Sequence, residues 1–116
     1  MEFIELEEFN KDLKRLLKKY RSLPEDLEVV KRVLGVFPVG RGDVSQIPGL
    51  KINRKVFKMR IMCRSVKGKT FRLIYSCSED LTKIILIELY FKGDKENEDR
   101  ERIMRNFSYL KNQNDR

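Results

Sequence analysis

Apolar and polar residues alternate most clearly between Val56 and Lys92, and the alternation predicts three strands there. Phe57, Met59, Ile61 and Cys63 interleave with Lys58, Arg60 and Arg64. Val66 to Lys69 then supplies a turn in which Gly68 can take a positive φ. Beyond the turn, Phe71, Leu73, Tyr75 and Cys77 form one set and Thr70, Arg72, Ile74 and Ser76 the other. Successive side chains on a strand point to opposite faces, so each strand can bury one set and present the other. A turn centred on Gly68 sets Arg64 opposite Arg72, Cys63 opposite Leu73 and Cys77 opposite Met59. From Lys83 to Lys92 a third strand follows, apolar on both sides at its start and therefore expected at the centre of a sheet. Ile85, Ile87, Leu89 and Phe91 are expected on its helix-packed face. Ile84, Leu86, Glu88, Tyr90 and Lys92 would share the other face with Lys58, Arg60 and Arg72.

Upstream, Phe3, Ile4 and Leu6 suit a short first strand. Phe9, Leu13, Leu16, Leu17 and Tyr20 then recur at helical spacing, with Lys11, Lys14, Arg15, Lys18, Lys19 and Arg21 on the outer side. Ser22-Leu-Pro-Glu25 reads as a capping box opening a second helix, in which Leu27, Val30, Val33 and Leu34 face inward until Gly35. The short link makes the two helices an antiparallel pair. Residues 35–53 are rich in Gly, Pro and polar side chains without a usable period, which predicts a long surface loop. Near the end, Asp94 is expected to cap a last helix carrying Ile103, Met104, Phe107 and Leu110, with a frayed tail over 111–116. The order is β-α-α-β-β-β-α. It describes an α+β fold of two layers, with helices on one face of a mostly antiparallel sheet, in a single domain over 1–116.

Composition narrows the partners. In 116 residues, 26 Lys and Arg against 18 Asp and Glu leave a net charge of +8, which favours an anionic partner, nucleic acid first. No Asp or Glu falls between Asp43 and Glu79, so nothing in that stretch neutralises the presented cations. The two cysteines, Cys63 and Cys77, both lie in the apolar sets and are not opposite one another, as reduced and buried thiols of a cytoplasmic protein would be. With no histidine, imidazole zinc sites and histidine acid–base chemistry are excluded. The start, MEFIELEEF, lacks the basic and apolar regions of a signal peptide, and the longest apolar run is too short to span a bilayer. Gly40-Arg41-Gly42 has no Gly-Lys-Ser/Thr after it and no strand before it, which argues against a P-loop.

The chemistry that suits a basic sheet face is phosphodiester chemistry. Cutting RNA requires the 2′-hydroxyl deprotonated, a pentavalent phosphorane stabilised and the leaving oxygen protonated. Lys58, Arg60 and Arg72 supply charge stabilisation. Glu88 or a lysine is the candidate base, and Tyr90 or Lys92 the candidate acid. Glu88 has a second reading as a structural ion-pair partner of Arg60 or Arg72, and Tyr90 as a packing residue. Arg64, Lys67, Lys69, Lys14 and Lys18 are candidates for backbone phosphate contact. The scheme needs neither metal nor cofactor, and no carboxylate cluster is placed to hold a metal.

In FNKDLKRLLKKY of the first helix, IPGL before the hairpin, KMR, GKTFRLIY across the turn and IILIELYFK of the last strand, the chain resembles the RelE/ParE superfamily of type II toxins, from about Glu5 to Lys92. The resemblance implies a RelE-like fold and a toxin neutralised by a cognate antitoxin protein. In the RelE branch the activity is mRNA cleavage on the ribosome by a metal-independent endoribonuclease. Lys58 and Arg60 resemble the paired basic residues before the turn, Arg72 the arginine of the following strand, and Lys92 a further basic residue after the last strand. The catalytic tyrosine of that branch has no counterpart, since Tyr90 comes too early and Tyr109 lies well down the last helix. The ParE branch shares the scaffold but binds DNA gyrase without cutting RNA. A degenerate, non-toxic basic nucleic-acid-binding module is the remaining alternative.

Overall fold

The computed structural model describes residues 1–68 and 70–114, with side chains through residue 107. It is α+β. Strand β1 (Glu2–Glu5) leads into helix α1 (Glu7–Leu17) and helix α2 (Leu23–Val36). Strands β2 (Val44–Gln46), β3 (Val56–Met62), β4 (Thr70–Cys77) and β5 (Lys83–Phe91) follow, and helix α3 (Arg100–Asn114) closes the described chain. The five strands form one sheet in the order β1-β5-β4-β3-β2. All pairs are antiparallel except β1 with β5. No helix of the described residues is long and apolar enough to cross a membrane.

Helices α1 and α2 cover one face. Phe9, Leu16, Leu27, Val30 and Leu34 pack there on Met59, Ile61, Phe71, Leu73 and Tyr75. Tyr20 sets its ring edge-on to Phe71 at 4.8 Å, a geometry that adds to its buried area. The opposite face is covered over one half only. Ile103 and Phe107 of α3, with Ile47, join Val56, Ile74, Ile85 and Ile87 in a second cluster, and Leu50 and Ile52 pack against it. The expectation of helices on a single face therefore needs correction, because α3 lies across the sheet from α1 and α2.

The further corrections have local causes. The expected loop contains strand β2, which pairs Val44, Ser45 and Gln46 with Met59, Lys58 and Phe57. Three residues are too short a run for a period to register. Gly40, at φ +79°, makes the turn into it, and a Cβ there would collide with the Val44 side chain. In the hairpin, Arg60 lies opposite Arg72 and Met62 opposite Thr70, so the connection runs over 63–69 and the expected Arg64/Arg72 and cysteine juxtapositions do not occur. Gly68 does adopt a positive φ, of 80°. The longer connection arises because Arg64 and Ser65 are drawn down onto α2. Ser22 Oγ accepts from the Ser65 N–H at 2.9 Å and donates to Asp26 Oδ2 at 2.7 Å. It makes no cap bond, so the expected capping box is also absent.

The face assignment of β5 is overturned at its start by a bulge. Ile74 pairs with Glu88 but Tyr75 pairs with Leu86, which leaves Ile87 unmatched. The extra residue resets the alternation. Ile84 and Leu86 thus join the α1/α2 core and Ile85 and Ile87 the other cluster, the reverse of the expectation. Leu89, Glu88 and Tyr90, past the bulge, fall on the faces the pattern indicated. Last, α3 is capped by Asp99, not Asp94: Asp99 Oδ1 accepts from the Arg102 N–H at 3.0 Å. The helix runs through Asn114, across most of the tail expected to fray, while residues 115 and 116 and the Leu110 side chain lie outside the described residues.

Candidate functional site

Where α3 and the 47–52 loop stop covering the sheet, the same face turns basic. Lys58 and Arg60 on β3 and Arg72 on β4 alternate with core residues Phe57, Met59, Ile61, Phe71 and Leu73, so the packing that buries the latter turns the cations outward. With Gly42, Asp43, Val44 and Ser45 at the start of β2, they line an open cleft of about 410 Å³. Arg60 and Arg72 face one another across the β3/β4 pair. Like charges directly opposite destabilise a sheet. Arg72 Nη1 donates to Thr70 Oγ1 at 3.2 Å, and among the described residues neither arginine has a carboxylate in ion-pair range. Such a pair is a ready acceptor of a phosphate.

Lys58 differs from its neighbours. Its Nζ lies 3.1 Å from Glu98 Oε1, and the Glu98 side chain is only 6% exposed. Glu98 belongs to the segment 92–99 between β5 and α3. That segment is held down by Glu88, whose carboxylate accepts from Lys95 Nζ at 2.7 Å and from the Asp99 N–H at 2.9 Å. Glu88 is thus a structural anchor whose cations are Lys95 and, at 4.0 Å, Arg102. The expected pairing of Glu88 with Arg60 or Arg72 is replaced, because the bulge and the returning segment bring nearer donors to it.

Tyr90 sits opposite Arg72 on β5 and is buried, with no hydrogen-bond partner for its hydroxyl among the described residues. Burial pushes its pKa up to about 12, with Glu98 and Glu88 reinforcing the shift and Arg72 opposing it. Lys95 Nζ lies 5.1 Å from the centre of its ring. Lys92 is exposed and donates to the Glu96 carbonyl at 2.6 Å. Arg64, on the hairpin connection, bonds Asp26 Oδ1 at 2.9 Å and Glu25 Oε2 at 3.0 Å, away from the cleft. Lys67 is exposed on the same connection, and Lys69 lies outside the described residues. Lys14 and Lys18 are exposed on or beside α1, in the layer across the sheet from the cleft. The structure therefore gathers Lys58, Arg60 and Arg72, sets Tyr90 beside them, and leaves the remaining candidates elsewhere.

A second charged cluster was not anticipated. Beyond Leu86 the outer edge of β5 loses its strand partner as the chain leaves β1 for α1. Asp12 Oδ2 accepts from the Leu89 N–H at 3.0 Å, and Arg102 Nη2 donates to the Ile87 carbonyl at 2.6 Å. The two side chains join at 2.8 Å, so the backbone groups orphaned at that edge are satisfied. The available signal was Asp12 at a buried spacing between Phe9 and Leu16. Glu98 had a fainter one, as part of the acid-rich run over 94–101 of a basic chain. Cys63 and Cys77 are both free, the first buried and the second half-buried. In comparison with known proteins, no family model matches the chain, and no curated protein matches its sequence.

Proposed function

We propose that the chain is a RelE-like toxin of a type II toxin–antitoxin module that cleaves mRNA, as its sequence resemblance implies. The observation that carries this reading is the convergence of Lys58, Arg60 and Arg72 on one open cleft, with the two arginines opposite one another and, among the described residues, no carboxylate in ion-pair range of either. Two guanidiniums presented side by side suit the non-bridging oxygens of a phosphodiester. As the 2′-oxygen attacks, a 2′-O–P bond forms and the P–O5′ bond breaks, leaving a cyclic phosphate and a 5′-hydroxyl. Arg60 and Arg72 stabilise the charge that gathers on the phosphorane. Glu88 is enclosed by its own donors, Lys58 adds its charge to that stabilisation from beside Glu98, and Tyr90 or Lys92 takes the role of acid in this scheme. The partners that follow are mRNA, the ribosome and a neutralising antitoxin.

Induced expression of the wild type and of the Lys58→Ala/Arg60→Ala/Arg72→Ala variant, with mapping of mRNA 5′ ends, tests the reading. Cuts inside translated codons that vanish in the variant are expected. Growth arrest without such cuts would contradict it and favour the gyrase-binding alternative.

A further inference from the structure

In a chain of net charge +8, residues 94–101 hold five acids, Asp94, Glu96, Glu98, Asp99 and Glu101. One of them, Glu98, lies with its carboxylate on the lysine of the basic cleft, at 3.1 Å. Carboxylate and phosphate oxygens compete for the same ammonium donors. The Lys58 side chain retains 24% exposure, so the cation is open to the cleft while its counter-ion is enclosed. Lys95 of the same segment lies 5.1 Å from the centre of the Tyr90 ring, whose hydroxyl is buried and without a hydrogen-bond partner among the described residues. Buried hydroxyls are rarely left so. The segment is fastened to the sheet by polar bonds, chiefly the two to Glu88.

We propose that Glu98 marks and guards a second phosphate subsite: Arg60 and Arg72 take one phosphate of a polyanionic chain, and the next takes Lys58 from Glu98. The occupied cleft then has three cations engaged, and the displaced carboxylate loosens the 92–99 segment over Tyr90. A monoanion that reaches only the arginines leaves the Lys58–Glu98 pair intact. The subsite thereby favours chains of phosphates over isolated ones. The inference rests on the anion-binding part of the proposed function and not on cleavage.

The test uses the full chain and two probes, a 2′-O-methyl RNA oligonucleotide that cannot be cut and inorganic tripolyphosphate. Glu98→Gln should tighten binding of tripolyphosphate about three- to tenfold. For the oligonucleotide it should steepen the salt dependence by about 0.7 in log–log slope, one phosphate contact. In a Lys58→Ala background the same substitution should change nothing. In the wild type, which needs no variant to fold, tripolyphosphate should speed hydrogen exchange of the amides over 95–99. Unchanged or weaker binding by Glu98→Gln, or an effect that survives in Lys58→Ala, would overturn the proposal, as would exchange rates that tripolyphosphate leaves alone. If tripolyphosphate behaves as expected but no variant binds the oligonucleotide, the subsite stands and the RNA reading falls.

Discussion

The molecule holds two clusters of strong cations on strand and helix, and they are built in opposite ways. Arg102 is 7% exposed and enclosed, with Asp12 at 2.8 Å, Glu8 at 3.6 Å and the Ile87 carbonyl at 2.6 Å. Arg60 and Arg72 stand opposite one another with no carboxylate in range among the described residues. The first cluster closes a sheet edge and ties α1, β5 and α3 together. The second sets like charges opposite one another in a cleft that opens to solvent. Arg102 is thus held by the fold, whereas the proposed function gives Arg60 and Arg72 to a ligand. Arg64 lies between these limits, well exposed itself but bonded to a buried Asp26.

That contrast can be broken most severely at Arg102. Arg102→Met leaves the Asp12 carboxylate without its buried counter-ion and should lower stability by about 3–5 kcal/mol, read from the urea midpoint. Adding Asp12→Asn should restore part of the loss, since Asn still accepts from the Leu89 N–H. A fall of under 1 kcal/mol in the single variant, on the order of an exposed pair, would erase the distinction between the clusters.

Alkali probes burial rather than pairing. Burial raises the pKa of Tyr90 to about 12, and raises that of Tyr75 as well. A group whose folded pKa exceeds its unfolded value stabilises fully below the unfolded one, near 10 for tyrosine, and loses that contribution as pH climbs toward 12. Ultraviolet titration should therefore show these two phenols ionising late and together with unfolding, and Tyr90→Phe should reduce the loss. Smaller again is Asp26→Ala, expected to cost about 1 kcal/mol because Arg64 and Ser22, which lose its carboxylate, regain water. Thermal melting would check it. Smallest of all is Arg72→Ala, which should leave stability within about 0.5 kcal/mol of wild type, with any change a gain from relieved repulsion.

The alternation between Val56 and Cys77 was enough to expose the cleft, because a half-buried strand writes its two faces directly into residue order. The spacings of Phe9, Leu16 and Tyr20, and of Leu27, Val30 and Leu34, revealed α1 and α2 for the same reason. Register was hidden: nothing local distinguishes a turn centred on Gly68 from a connection pulled longer by Ser22 and Asp26, residues some forty positions away. In Ile84-Ile-Leu-Ile, where both faces are apolar, a bulge leaves no mark on the pattern. Glu98 and Arg102 read as surface charges in an acid-rich stretch, and only the return of the chain over β5 shows one on the cleft lysine and the other in the interior.

The most direct measurement is the affinity of an uncleavable single-stranded RNA for the wild type and for Arg60→Ala/Arg72→Ala, taken over a range of salt with folding checked alongside. Loss of affinity by about tenfold or more, a log–log salt slope shallower by about 0.7 and an unchanged melting midpoint are predicted. Equal affinity and slope in the two proteins would contradict the account, and the open arginine pair would then be no phosphate site.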